Sequence, residues 1–143
     1  MPGSLSQADI NYIREGYRLF KNGDPAFLDR FTPDATLVFP ETLPSSGTYN
    51  SPWDALEYFN RVGELFDDPH AKPEEFIRDG DRLVVLATWH AVVPSSGRHA
   101  TVRFAHVFTW SGEGPLRGPK ARSFELICDT VSFAAALAEG DAG

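Results

Sequence analysis

An α+β fold, with amino-terminal helices packed in a curved antiparallel sheet, is predicted by three features of the sequence. Apolar residues recur at three- and four-residue steps up to about Phe66 and at alternate positions from Glu75 onward, so helical and extended segments are segregated along the chain. The extended segments are joined by turn-forming sequences, which gives a meander. No repeat or linker divides the 143 residues, a length at which one domain buries roughly two-thirds of its unfolded surface. A single domain, ordered from about residue 5 to 137, is therefore expected.

Ser6 followed by Asp9 makes a capping-box pattern, and Ile10, Ile13, Tyr17 and Phe20 form the buried stripe of a helix from Ser6 to Asn22, ended by Gly23. Asp24 and Pro25 open a second, short helix whose apolar residues are Phe27, Leu28 and Phe31 and which should stop before Pro33. Ala35 to Phe39 is β-prone, and Pro40 to Thr48, with two prolines and Ser46-Gly47, reads as a loop. Ser51-Pro52 starts a third helix running to about Phe66, with Trp53, Leu56, Phe59, Val62 and Phe66 as its inward stripe. Asp68-Pro69 ends it.

Strands come next, from Glu75 to Asp79, Arg82 to Val93, His99 to Trp110 and Arg122 to Asp129. Turns fall at Asp79-Gly80-Asp81 and Ser95-Ser96-Gly97, and a Gly/Pro-rich loop runs from Ser111 to Lys120. After Asp129-Thr130 a short helical or irregular segment, Phe133 to Leu137, precedes a tail expected to lack order beyond Ala138. A sheet curved round the helices leaves one closed-ended cavity. Leu83 to Val93 is apolar at nearly every position, so the outer face also needs cover; a second copy of the chain, giving a homodimer, is the expected cover.

Twenty acidic against thirteen basic residues, a formal net charge of -7, argue against nucleic acid or an anionic membrane surface as partner, since both need a basic face. Cys128 is the only cysteine, which rules out an internal disulfide and suits a reducing cytoplasm. Pro2 to Asn11 is polar, without the apolar segment of a signal sequence, and no run is long enough to cross a bilayer, so a cytoplasmic protein is expected. The four histidines lack metal-ligand spacing, no Gly-rich phosphate loop follows a strand, and no serine sits in a nucleophile-elbow context; no metal or cofactor is implied. Aromatic residues make up 13% of the chain, which points to a large apolar interior, a cavity, or both.

The chemistry centres on Thr101 to Trp110, T-V-R-F-A-H-V-F-T-W. Alternation puts Val102, Phe104, Phe108 and Trp110 on one face of a strand, and His106 among them. A histidine so placed either makes one hydrogen bond in a core or works in a pocket, and the aromatic face favours the pocket. Tyr49, after Gly47, can present its hydroxyl at the cavity mouth or simply pack. Tyr17 lies on a buried stripe, where its hydroxyl needs a partner. Glu125 and Asp129 share a strand face by parity, so both point inward or neither does, and Asp129 can equally cap the segment after it. A two-residue hairpin at Ser96-Gly97 sets Trp89 opposite Phe104 and Ala87 opposite His106, whereas a three-residue loop turns His90 onto that face; Trp89 inward is the expectation. The cavity is then lined chiefly by Phe39, Trp53, Phe59, Trp89, Phe104, Phe108 and Trp110.

Several short motifs recur in a recognisable order: Y-x-x-F-x-x-G-D at Tyr17 to Asp24, F-x-P-D-A at Phe31 to Ala35, S-G-T-Y at Ser46 to Tyr49, D-G-D at Asp79 to Asp81, F-A-H-V-F-T-W at Phe104 to Trp110 and D-T at Asp129-Thr130. With these the chain resembles the SnoaL-like polyketide cyclases of the nuclear transport factor 2-like, or ketosteroid-isomerase-like, superfamily. The resemblance implies a cone-shaped α+β barrel, usually dimeric, whose pocket serves ring closure, isomerisation, dehydration or epoxide opening of small apolar molecules. It also embraces binding proteins without catalysis. Ketosteroid isomerases carry a carboxylate base near the end of the first strand, where this chain has Phe39, so proton abstraction of that kind is not expected. The position of their second, protonated aspartate corresponds to His106, which in the family resembles an acid/base or a donor to a carbonyl oxygen. Many relatives have an acidic residue three before Asp-Thr; here that position is Leu126, with Glu125 one step earlier.

The expectation is therefore a cofactor-independent enzyme that closes a ring in an apolar, polyketide-like substrate of secondary metabolism. His106, Tyr49 and Glu125 are the catalytic candidates, with Tyr17 and Asp129 as further substrate contacts. The scarcity of titratable groups favours confinement in a reactive conformer, including a pericyclic addition, with or without one activating hydrogen bond. The alternatives are a non-catalytic module holding an apolar ligand, and an isomerase or epoxide hydrolase of the same fold, the hydrolase needing Glu125 and Asp129 beside a water.

Overall fold

Ser6 starts helix α1 (Gln7–Lys21) through a reciprocal cap: its hydroxyl accepts from the Asp9 N–H at 3.1 Å, and the Asp9 carboxylate accepts from the Ser6 N–H at 2.9 Å. This is a computed structural model of the chain, and it describes residues 6–40, 47–110 and 120–142. The expected loops from Pro40 to Thr48 and Ser111 to Lys120, Ser46 of the S-G-T-Y motif and the start of the polar stretch from Pro2 lie in whole or part outside the described residues. Gly23, at φ 73°, makes the left-handed turn out of α1, a conformation that costs glycine nothing.

A 3₁₀ helix, Pro25–Arg30, comes next, its first turn held by the Asp24 carboxylate accepting from the Ala26 N–H. Phe31, expected to end this helix, instead opens strand β1 (Phe31–Val38), four residues before the expected start at Ala35. Pro33 is tolerated there because the pairing with strand β6 (Ala121–Cys128) is irregular between Phe31 and Thr36, so no ladder N–H is missed. Strand β2 is a two-residue edge, Thr48–Tyr49.

Helix α2 (Pro52–Leu65) is capped by Ser51 and buries Pro52, Ala55, Tyr58, Val62 and Leu65. The buried stripe is thus turned by about one residue from the expected one. Trp53 ends 64% exposed, because the small Pro52 and Ala55 occupy the contact that large side chains were expected to fill, while Tyr58 stacks on Phe39 at 4.0 Å.

Strand β3 (Asp67–Asp79) begins directly after α2, eight residues before the expected Glu75. Register shifts between Asp67 and His70 and between Pro73 and Glu75 absorb Pro69 and leave Pro73 at an irregularity. Strands β4 (Arg82–Val92), β5 (His99–Trp110) and β6 complete a six-stranded sheet in the order β2-β1-β6-β5-β4-β3, antiparallel except for the β1–β6 pair. Residues 93–98 join β4 to β5, their ends drawn together by the Val93 N–H donating to the Arg98 carbonyl at 2.9 Å. Trp89 therefore faces Val102 and Ala87 faces Phe104, two places from the expected partners; an even shift keeps Trp89 inward.

Helix α3 runs Thr130–Ala142, beyond both ends of the expected Phe133 to Leu137 segment. Asp129 holds its first turn, accepting from the Ser132 N–H and hydroxyl, and Arg98 pairs with Glu139. Phe133, Ala136 and Leu137 cover one end of the core, which lies between α1, α2 and the concave face of β4, β5 and β6. No described helix is long and apolar enough to cross a membrane.

Candidate active site

Alternation along β5 turns Phe104, His106 and Phe108 to the concave face, and His106 is only 7% exposed. Its imidazole lies among Phe104, Phe108 and Phe124, with centroids 5.7, 6.4 and 5.0 Å away. Tyr17, from the buried stripe of α1, brings its hydroxyl oxygen to 2.8 Å from His106 Nδ1, with the two rings stacked. Burial lowers the His106 pKa to about 3 and raises that of the Tyr17 phenol well above its ordinary value. Both groups are accordingly neutral near pH 7.

With both groups neutral, the tautomer is assigned from the hydrogen bonds. The phenol's one hydrogen bond among the described residues is to Nδ1, so we assign Tyr17 as donor and Nδ1 as acceptor, which leaves no phenol proton without a partner. The ring proton is then on Nε2, which has no partner of its own among the described residues. His106 thus offers an N–H donor, fixed in orientation from behind.

The two side chains line a cavity of about 110 Å³. Its floor is Phe39, Trp89, Phe104, Phe108, Phe124 and Leu126 from the sheet, its roof Tyr17 and Phe20 of α1 and Tyr58, Phe59 and Val62 of α2, with Phe133 of α3 at one side. No Asp or Glu is among the described lining residues. Space of this order accommodates one small ring, since a cavity of about 150 Å³ in an apolar core takes up benzene.

This geometry can be set beside known proteins. The SnoaL-like domain family matches residues 13–114, from α1 through β5 and including Tyr17 and His106. The chain belongs to the SnoaL-like family. TerC, crystallised with polyporic acid, is similar at 30% identity and a TM-score of 0.75, over 91% of this chain and 98% of TerC. An NTF2-like protein of unknown function from Burkholderia pseudomallei K96243 is 26% identical with a TM-score of 0.78, over 92% and 98% of the two chains. A loop-truncation variant of IdmH shares the fold, at 20% identity and a TM-score of 0.71 over 90% and 98%. No curated protein matches the sequence.

Of the residues expected at the site, the SnoaL-like cavity gathers Tyr17, Phe39, Phe59, Trp89, Phe104, His106 and Phe108. Trp53 faces solvent, for the reason given for α2. Trp110 is buried but stacks behind Phe108 at 5.4 Å rather than lining the cavity. Tyr49 is half-buried on β2 and packs edge-on against Phe39 at 5.9 Å, outside the lining. Glu125 and Asp129 take the outward option of their shared parity: Glu125 is exposed on the convex face between the inward Phe124 and Leu126, and Asp129 is spent on Ser132. A carboxylate pair inside the cavity, as an epoxide hydrolase would need, is therefore not formed by them.

Tyr58 and Phe124 were missed although their signals exist, in the i, i+3, i+4 stripe of α2 and the alternation of β6, and Phe133 because α3 is longer than the segment expected there. Arg30 was missed for want of any signal, since an arginine in a short helix reads as solvated. It is 7% exposed, and its Nε–H and Nη1–H donate to the carbonyls of Tyr12 and Ala26, both at 3.1 Å. Its guanidinium lies 3.9 Å over the Tyr12 ring, and the residue adds a cationic side chain to the cavity wall beside Gly16.

Proposed function

We propose that this SnoaL-like protein is a cofactor-independent cyclase that closes a ring in an apolar, carbonyl-bearing molecule of the polyketide kind. The observation that carries the reading is the Tyr17–His106 pair, a neutral imidazole held by a phenol in an aromatic cavity with no carboxylate among its described lining residues. The step the site suits is a pericyclic addition, in which the bonds of the new ring form together and no proton leaves. The Nε2–H donates to a carbonyl oxygen conjugated with the reacting carbons and polarises it, an effect strengthened by the surrounding low-dielectric walls. The aromatic walls hold the segment that becomes the ring so that its reacting carbons meet, which replaces a costly conformational search. Proton abstraction by a carboxylate has no place in this scheme. Similarity to TerC, crystallised with polyporic acid, supports a small-molecule ligand for this cavity.

Incubation with a linear polyketide precursor, followed by mass spectrometry and NMR of the product, tests the reading. Conversion to a cyclised product is expected, with His106→Ala slower by about 10²-fold, the usual loss of a positioned donor to an oxyanion. A near-normal rate in His106→Ala together with a severe loss in Trp89→Ala would leave confinement alone as the source of catalysis. Tight binding without conversion would make the protein a ligand carrier. The same reading includes a homodimer formed through the convex face of the sheet.

A further inference from the structure

We infer that the groove between the second half of α1 and the start of β3 is the entrance to the cavity and binds the carboxylate of a substrate whose apolar part lies inside. The inference rests on reading the aromatic cavity as the substrate site. The groove has a volume of about 640 Å³ and shares Tyr17 and Ala71 with the cavity as lining residues, so only that wall stands between the two spaces.

Its charge is opposite to that of the molecule. In a chain with seven more acidic than basic residues, the groove gathers Arg14, Arg18, Lys21 and Lys72 against the single carboxylate of Asp68. Some of this has a local explanation: Arg18 and Lys21 stand in the last turn of α1, where cations complement the helix dipole, and Arg18 also pairs with Glu15. Arg14 is laid 4.6 Å over the Phe76 ring. That leaves Lys72 on the opposing strand, and neither it nor Lys21 has an ion pair among the described residues.

Three of the four histidines, His70, His90 and His99, converge on the same groove from three strand positions. The His70 and His90 rings stack at 5.5 Å, and the His70 Nδ1–H donates to the Asp68 carbonyl at 2.8 Å, with the Asp68 carboxylate 3.6 Å away. The one acid among the described residues of the groove thus has its carboxylate beside the His70 imidazole. Burial lowers the His90 pKa, with smaller lowering contributions from His70, Lys72 and His99 and an opposing one from Glu74. The Lys21 and Lys72 ammonium groups act as point charges, and the neutral imidazoles can add hydrogen-bond donors, which together suit a carboxylate. The carbonyl end of α1 nearby weighs more heavily against a multiply charged phosphate than against this single charge.

A matched pair of ligands separates this inference from the reading it rests on. 3-Phenylpropionate and its uncharged methyl ester are titrated into the protein by NMR at low salt, and each is tested for competition with the other. The acid is expected to bind about tenfold more tightly than the ester, to compete with it, and to lose that advantage in about 0.5 M salt. In the Lys21→Glu, Lys72→Glu variant the acid's affinity should fall about tenfold more than the ester's. Equal affinities for acid and ester, unchanged by salt or by the variant, would overturn the carboxylate groove and leave the cavity standing. An acid that binds without competing with the ester would make the groove a separate site and overturn its role as entrance. Binding of neither ligand would remove the cavity as a substrate site, and this inference with it.

Discussion

At His106 no charged neighbour sets the protonation state; burial alone does, by stripping water from the imidazolium. Because the folded-state pKa, about 3, lies below the ordinary 6.5, the stability this residue contributes is complete above about pH 6.5 and is lost as pH falls toward 3. Between pH 7 and pH 5 that loss amounts to about 2 kcal/mol. Urea unfolding of the wild type should show it and His106→Gln should not; an equal slope in both proteins would mean that the imidazole is not kept neutral by the fold. The tautomer is open to a second check. Histidine ¹⁵N shifts should report a bare Nδ1 and a protonated Nε2, and Tyr17→Phe should blur that assignment while costing about 1–3 kcal/mol for the orphaned ring nitrogen. A protonated Nδ1 in the wild type would leave Nε2 an acceptor and remove the proposed donor. At this scale much of the site could be read from sequence. His106, Trp89, Phe104 and Phe108 announce themselves by alternation, and parity tied Glu125 to Asp129. Which face that pair would take was decided by Phe124 and Leu126, whose apolar burial outweighs any pull of the carboxylates inward.

At the scale of elements, the joint between α1 and the 3₁₀ helix depends on a glycine in mid-helix. A Cβ on Gly16 would lie 3.1 Å from Arg30 Cδ and 3.2 Å from Nε, so the arginine crosses α1 only because no side chain stands there. In an Arg30→Ala background, Gly16→Ala should stabilise by about 1 kcal/mol through helix propensity. With Arg30 present the gain should shrink or reverse, because the displaced guanidinium surrenders its contacts to Tyr12 and Ala26. Equal effects in both backgrounds, by chemical denaturation, would show the crossing to be energetically idle. Elements were legible where local chemistry decides them: the Ser6 and Ser51 caps, the helix stop at Gly23, and β4 and β5 within a residue of their ends. They were not legible where tertiary pairing overrides propensity. The first half of β3 holds two prolines that read as loop, and only bulges against β4 make it a strand. The stripe of α2 turned because Tyr58 found Phe39, a contact between segments distant in sequence.

For the whole molecule, the concave face of the sheet accounts for the core and the convex face is left over. Strand pairing aligns Ile77, Val84 and Val107 in one row and Leu86, Ala105 and Ile127 in the next, with Ile77 and Ile127 about half exposed, at 47% and 51%. Charges of both signs border these rows, in the Arg103–Glu74 and Arg122–Asp81 pairs. An apolar centre with both signs at its rim can meet its own copy across a two-fold axis, which a partner of one charge sign could not match as well. Sedimentation equilibrium should therefore give twice the 15.8 kDa of the chain, and Val107→Lys, whose side chain points away from the cavity, should return the monomer with ligand binding retained. Salt supplies the sharper test. Each copy carries a formal charge of -7, so two copies repel, and screening that repulsion from about 0.05 M to about 0.5 M salt should tighten an apolar interface. An interface held by the rim ion pairs would loosen over the same range, and a monomer at both salt concentrations would mean that the convex face is stable in water by itself.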